Sequence, residues 1–257
     1  MTRAHITAVT SGKGGVGKTF LTANLAAALT RAGERVLVLD ADLGLANLDV
    51  VLGLHPKITL HDVFTGNHKL ERAIIEAPGG FDCLLAGSGM VEYSRLTPEV
   101  RDQLVQVIAT LRPRYDRILL DTGAGISDVV LYTISLADDV IVVATPEPTS
   151  MTDAYATIKV LTTTQGRRGV QLVVNQVGQA GEGQVIRNQL QQVVDRYVAP
   201  AVGHAVRLHM VGEVAADSSV REAVRRRQLL LESLPGSAAA QGVQAIAQRL
   251  TALAAVA

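Results

Sequence analysis

The stretch that decides the fold is Gly12-Lys13-Gly14-Gly15-Val16-Gly17-Lys18-Thr19. It fits the pattern G-x-x-x-x-G-K-[ST], and it lies between an apolar run over residues 5–9 and a helical pattern that begins at Lys18. Glycines let backbone N–H groups turn inward around phosphate oxygens, and a helix N-terminus adds a favourable field for anions. The stretch therefore predicts a phosphate-binding loop rather than a glycine-rich turn without a ligand.

The side chains of this loop have distinct expected roles. Lys18 is placed to contact the β and γ phosphates of a nucleotide, and the Thr19 hydroxyl is placed to bind Mg²⁺. The predicted nucleotide-binding residues in this region are Gly12, Gly14, Gly15, Val16, Gly17, Lys18, Thr19 and Phe20.

Along the rest of the chain, short apolar runs alternate with helical patterns. The predicted strands are 5–9, 36–40, 81–86, 117–121, 140–144, 170–175 and 206–211, and the predicted helices are 18–32, 97–111, 127–136, 149–163, 184–198, 218–228 and 237–253. Such alternation predicts an α/β fold, with one doubly wound domain over residues 1–257 and a mostly parallel sheet flanked by helices. Ligands should lie at the carboxyl ends of the strands.

Acidic residues follow two of the predicted strands. Asp40 and Asp42 come at the end of the second strand, and Asp121 ends the strand over residues 117–121. A carboxylate near a phosphate loop suits a Mg²⁺ site, although a single such residue could simply cap a strand. Because two strands end this way, we predict that Thr19, Asp40 and Asp121 hold the metal.

Composition excludes several classes of protein. Lys and Arg together number 24, as do Asp and Glu, so overall charge gives no reason to expect nucleic-acid binding, and only a local patch could provide it. The single cysteine, Cys83, cannot form an intrachain disulfide, which favours a cytoplasmic location. No apolar run is long enough to span a bilayer.

Lys13, directly after the first glycine, gives the loop a further feature. With it, the loop resembles the deviant Walker A motif K-G-G-x-G-K-[ST] of the MinD/ParA family of P-loop ATPases. The resemblance implies a Mg²⁺-dependent ATPase that forms an ATP-sandwich homodimer, in which Lys13 reaches the partner's phosphates. It also implies that Asp42 orients the attacking water, so that Lys13, Lys18 and Asp42 are the catalytic residues.

The same resemblance assigns roles to segments outside the loop. Residues 42–49 correspond to switch I, and residues 121–125 correspond to switch II, which senses the γ-phosphate. Asn175 corresponds to an asparagine that reads adenine, although a turn-forming Asn is the alternative. A proline that stacks on adenine in many family members is replaced here by Ala215.

Three stretches, 40–49, 147–155 and 219–224, resemble the FlhG (FleN) branch, whose members control flagellar number and placement. This branch implies a FlhF-type GTPase, a flagellar switch component or a transcription regulator as partner. Two alternatives stay open: a ParA-type ATPase that partitions DNA or cargo, and an ATP-dependent amidoligase-type metabolic enzyme on the same fold.

Two surfaces bear on partners. The arginines over residues 221–227 form the main basic cluster, but Glu222 dilutes its charge, so nucleic-acid binding is possible and not favoured. Residues 238–257 contain Arg249 as their sole charged residue and no aromatic residue. They predict a helix that packs on the core, and we do not expect membrane binding without a partner.

Overall fold

The computed structural model describes residues 3–44, 47–87 and 96–254 of the chain. Eight strands form one sheet: β1 (His5–Ser11), β2 (Val36–Ala41), β3 (Ile74–Glu76), β4 (Asp82–Leu84), β5 (Arg117–Ala124), β6 (Asp139–Ala144), β7 (Gly169–Val177) and β8 (Arg207–Ala215). Their order is β3-β4-β2-β5-β1-β6-β7-β8. Every neighbouring pair is parallel except β3 with β4, which confirms the predicted sheet.

Helices cover both faces of this sheet. They are α1 (Lys18–Arg31), α2 (Leu48–Leu52), α3 (Leu60–Phe64), α4 (Pro98–Leu111), α5 (Asp128–Ser135), α6 (Pro148–Gln165), α7 (Glu182–Tyr197), α8 (Ala199–Val202), α9 (Ser218–Arg226), α10 (Leu230–Ser233) and α11 (Ala238–Ala254). A 3₁₀ turn spans Leu70–Arg72. One face of the sheet packs against α4 to α7, and the other packs against α1, α10 and α11.

The elements absent from the sequence prediction are the short ones: α2, α3, α8, α10, the 3₁₀ turn and β3. Three to five residues hold too little periodicity to reveal a helix or a strand. In α3 the N-cap residue Thr59 and Asp62 form a capping box, a local signal that could have revealed the helix start.

Two strands run farther than predicted. Parallel pairing of Ser11 with Ala124 carries β5 past Asp121, so this aspartate lies inside its strand rather than at the end. Pairing with β7 likewise carries β8 as far as Ala215. Hydrogen bonding to a neighbouring strand sets these ends, and a single sequence does not display it.

The last helix packs as predicted. In α11 the side chains of Ala239, Val243, Ile246 and Leu250 are buried, spaced at helical intervals on the face toward β8 and α1. Within residues 3–44, 47–87 and 96–254, no helix combines the length and the apolar character that a bilayer crossing requires.

Candidate nucleotide-binding site

The predicted phosphate loop connects the end of β1 to the start of α1, at the carboxyl edge of the sheet. Gly15 and Gly17 have φ values of +80° and +91°, which favour glycine. A Cβ added at Gly12 would lie 2.2 Å from the backbone oxygen of Asp153, and one added at Gly17 would lie 2.5 Å from Asn175 Nδ2. The loop is therefore held closely between α6 and β7. Packing against backbone requires glycine at position 12, whereas at position 17 the positive φ favours it.

Lys18 begins α1 and is 9% exposed. Burial lowers the pKa of its ammonium group, although the charges of Asp121 and Asp42 act in the opposite direction. These two carboxylates do not fully offset the cost of burying the cation. A desolvated cation at a helix N-terminus is therefore suited to hold an anionic ligand.

Asp121 lies beside the first turn of α1. It is 2% exposed, and burial raises its pKa to about 6, while a hydrogen bond from Thr19 and the charge of Lys18 act to lower it. The Thr22 hydroxyl lies 3.1 Å from Asp121 Oδ1 and 2.9 Å from the Lys18 carbonyl oxygen, and its single proton serves one of them. Thr19 and Asp121 thus form one oxygen-rich site beside Lys18.

Asp40 lies next to Asp121 on the neighbouring strand, in register with it. Burial, followed by the charge of Asp121, raises the pKa of Asp40 well above its usual range. Its Oδ1 accepts the backbone N–H of Asp42 at 3.2 Å, and its buried Oδ2 has no hydrogen-bond partner in the described part of the chain. The strand pair therefore places two buried carboxyl groups side by side, and a cation between or beside them would favour their ionised forms.

This donor set fits Mg²⁺. Carboxylate and hydroxyl oxygens are the ligands that Mg²⁺ prefers, and it commonly takes one or two carboxylates together with waters and substrate phosphates. The described residues contain no group of three His, Cys, Asp or Glu side chains able to hold a metal alone. A site that Thr19 and Asp121 share with a nucleotide's phosphates is consistent with that finding, and the predicted contribution of Asp40 stays a prediction.

A cavity of about 560 Å³ opens above the loop. It brings together residues of the loop, of the segment after β2 and of the end of β5. The lining includes Gly14, Gly15, Gly17, Lys18, Thr19, Phe20, Asp42, Gly44, Asn47, Thr122 and Gly123. A Cβ added at Gly123 would lie 3.3 Å from Asp42 Oδ1, so the two predicted switch segments meet here. Residues 45 and 46 of predicted switch I lie outside the described residues.

A second cavity, of about 580 Å³, shares Gly17, Phe20 and Val224 with the first. Its lining contains the two positions predicted to lie near a nucleotide base, Asn175 and Ala215. The other lining residues are Gln176, Ala216, Asp217, Ser218, Val220 and Arg221. The contiguity of the two cavities leaves space for phosphates in one and for a base in the other.

Asn175 has a structural role that the sequence did not reveal. Its Nδ2 donates to the Val16 carbonyl oxygen at 2.7 Å, and its Oδ1 accepts the Gln176 N–H at 2.9 Å. Gln176 has a φ of +60°, which is unusual for a residue other than glycine. The side chain therefore ties the phosphate loop to β7, and it keeps one N–H and one lone pair for a ligand.

Lys13 contacts its own chain. Its Nζ lies 3.0 Å from Glu147 Oε2 and 3.2 Å from Thr149 Oγ1, at the start of α6. The lysine side chain is 41% exposed and that of Glu147 is 62% exposed. An ion pair this exposed contributes at most about 1 kcal/mol. Lys13 is thus held loosely, in contrast to the buried Lys18. The sequence did not predict its contacts with Glu147 and Thr149.

The basic cluster does not form one uniform surface. Arg221 lines the base cavity, and Arg226 forms an ion pair with Glu222 on the same helix. Arg225 and Arg227 are exposed.

Comparison with known proteins agrees with this geometry. The chain matches a family model described as ParA, NUBPL iron-transfer P-loop NTPase, over residues 2–251. It is 40% identical to the antiactivator FleN of Pseudomonas aeruginosa, over 96% of this chain and 86% of that protein. It is 36% identical to the flagellum site-determining protein YlxH of Helicobacter pylori, over 93% of this chain and 79% of that protein.

Among solved structures, the septum site-determining protein MinD of Pyrococcus horikoshii, complexed with Mg-ADP, is similar to this fold. The TM-score is 0.77 and the identity 27%, covering 98% of each chain. Sequence and fold therefore agree, and the chain belongs to the ParA/MinD family of P-loop nucleoside triphosphatases.

Proposed function

We propose that this protein is a Mg²⁺-dependent ATPase that alternates between a monomer and an ATP-sandwich homodimer, and in doing so regulates the number or placement of flagella. The observation that carries the proposal is the cavity in which the loop, Asp42 and Gly123 meet, because it places the Asp42 carboxylate in the same space as Lys18 and the loop glycines. The flagellar assignment is supported by the relatives FleN and YlxH.

The residues divide the chemistry among them. Lys18 and the loop N–H groups would bind the phosphates, and Thr19 and Asp121 would hold Mg²⁺, together with Asp40 on the neighbouring strand. When bound, Mg²⁺ neutralises charge on the phosphates. Asp42 orients the attacking water for in-line displacement at the γ-phosphate. Asn175 reads the adenine edge with its remaining donor and acceptor.

Lys13 acts in trans. To reach a partner's phosphates it must leave Glu147 and Thr149, and an exposed ion pair costs less than about 1 kcal/mol to break. A charge-assisted hydrogen bond contributes about 1.5–3 kcal/mol. The exchange therefore favours the dimer when both subunits carry ATP.

Other functions have less support. A ParA-type DNA-binding surface needs a continuous basic patch, whereas Arg226 is paired with Glu222 and Arg221 lines a cavity. An amidoligase has no use for Lys13 as a trans cation. Iron transfer, which the family model's description mentions, needs accessible thiolates, whereas Cys83 is buried in β4 and burial raises its pKa to about 12.

The proposal includes partners and organisation. A second copy of the chain completes the site, and the ATP-bound dimer presents a surface to a FlhF-type GTPase, a flagellar switch component or a transcription regulator. We further propose that residues 1–257 act as a single P-loop ATPase domain in the cytoplasm.

Two variants test the proposed ATP-dependent dimerisation. Asp42→Ala should still bind ATP and should form a persistent dimer, because hydrolysis is blocked while the phosphate cradle and Lys13 remain. Lys13→Ala should bind ATP but fail to dimerise, and its hydrolysis rate should fall about 10³-fold.

Size-exclusion chromatography with light scattering in Mg-ATP measures assembly, and phosphate release measures the rate. Lys159→Ala, an exposed lysine on α6, is the control. Normal dimerisation and hydrolysis by Lys13→Ala would refute the sandwich mechanism and favour a metabolic enzyme.

A further inference from the structure

One position in the lining of the base cavity is Ala215, whose methyl group offers little surface to a purine ring. Arg221 lines the same cavity from the second turn of α9. It is the side chain in that lining with a planar cationic group.

Arg221 is not engaged with the carboxylates nearest to it in sequence. Asp217, one helical turn earlier, accepts the Ser219 N–H at 2.8 Å and the Ala239 N–H at 3.3 Å. Glu222 pairs with Arg226 instead. Across the described ranges, the Arg221 side chain has no hydrogen bond or ion pair, so its guanidinium is available to a ligand.

The backbone that carries Arg221 is fixed. Asp217 caps the N-terminus of α9. Ala223, two residues after Arg221, is fully buried and anchors the helix to the core. The side chain therefore extends from a rigid support at the rim of the cavity, and the ordering cost on ligand binding is limited to the side chain itself.

We propose that Arg221 binds the nucleotide base, with its guanidinium stacked on the purine face that Ala215 leaves uncovered. A planar guanidinium can lie flat on a π system, a stacked geometry that the ammonium group of lysine does not provide. The inference rests on the nucleotide placement proposed above. If Arg221 binds the base, it belongs to the nucleotide site and does not contribute to a nucleic-acid-binding surface.

Stacking and edge recognition then fall to different residues. Every purine presents a π face, so the Arg221 contact serves adenine and guanine alike. Asn175, which meets the base edge, discriminates between them. Loss of Arg221 should therefore weaken ADP and GDP binding by the same factor.

Calorimetric titration with ADP tests the proposal, because ADP avoids the contribution of dimerisation. Arg221→Ala should bind ADP about fivefold more weakly, which is the range of a partly desolvated cation–π contact. Its affinity for inorganic tripolyphosphate should equal that of the unchanged protein. Arg225→Ala, an exposed arginine one turn later, should bind ADP normally. Arg221→Lys should recover only part of the affinity, because its ammonium group lacks the planar surface that stacks on the base.

Several results would overturn the stacking role. They are unchanged ADP affinity in Arg221→Ala, an equal loss of tripolyphosphate affinity, or full recovery in Arg221→Lys, which would indicate a point-charge contact with phosphate. The unchanged protein serves as a separate test: if it fails to bind ADP, the nucleotide placement itself is wrong. Because Arg221 is exposed, its variants should retain the thermal unfolding midpoint, which confirms that they fold.

Discussion

Replacing Asp121 by asparagine removes a buried carboxylate from the centre of the site, and we expect it to stabilise the nucleotide-free protein above pH 6. Burial raises the pKa of Asp121 to about 6 from an ordinary value of 3.8. A difference of about two pKa units, at about 1.4 kcal/mol each, means that the ionised carboxylate costs the folded state about 3 kcal/mol. A neutral amide avoids this cost.

The net gain should be smaller than that figure. Lys18 loses an anion that favours its charged form, and Thr19 loses a charged acceptor. Asparagine keeps an oxygen that can accept from Thr22. Breaking a buried charge pair is destabilising, so we expect a net stabilisation of about 1–2 kcal/mol in the absence of Mg²⁺ and nucleotide.

The direction of the pKa shift determines how the effect of Asp121→Asn on stability changes with pH. Since the folded-state pKa of Asp121 lies above the unfolded one, the folded protein binds the proton more tightly, and the associated stability is fully present below about pH 4. It is lost as the pH rises toward about 6. The difference between Asp121→Asn and the unchanged protein should therefore be large at pH 8 and should shrink at pH 4.

Urea unfolding with EDTA at pH 4 and pH 8 measures this difference. Asp116→Asn is a control of opposite sign, because hydrogen bonds from Arg35 lower the pKa of Asp116 to about 2, so its loss should destabilise the protein near neutral pH. Mg-ADP should stabilise the unchanged protein and should stabilise Asp121→Asn much less. If Asp121→Asn is equally destabilised at both pH values, the ionised Asp121 carboxylate does not carry the free-energy cost calculated from its pKa.

Three further outcomes are expected. Lys18→Ala should abolish binding of Mg-ATP in calorimetry, since a charge-assisted contact to the β and γ phosphates is lost, and unchanged affinity would exclude Lys18 from the site. Asn175→Ala should lower the free energy of unfolding by about 2 kcal/mol, because it removes one buried and one partly buried hydrogen bond, and it should weaken ATP binding more than GTP binding. An equal loss for both nucleotides would indicate that Asn175 acts only by holding the phosphate loop to β7. The protein should not co-sediment with anionic vesicles in ATP or in ADP, because the apolar face of α11 is buried, and sedimentation in ATP would reveal a membrane surface elsewhere.

Much of the site follows from local rules. The phosphate loop is contiguous, so its glycines, Lys18 and Thr19 are recognisable without knowledge of the fold. The alternation of strands and helices predicts a parallel sheet, and a parallel sheet gathers the ends of its strands at one edge. Asp40, Asp42 and Asp121 could therefore be placed near the loop before their contacts were known.

Tertiary structure decided the contacts between distant segments. The ion pair of Lys13 with Glu147 and the bond from Asn175 to Val16 each join residues more than 130 positions apart, and no local pattern marks them. Burial, which raises the pKa of Asp121, depends on the layers packed around β5. The sequence by itself determined which groups can bind phosphate and metal, because that is a property of residue type and local backbone. The fold decided which of those groups are desolvated, paired or free, because that depends on what packs against them.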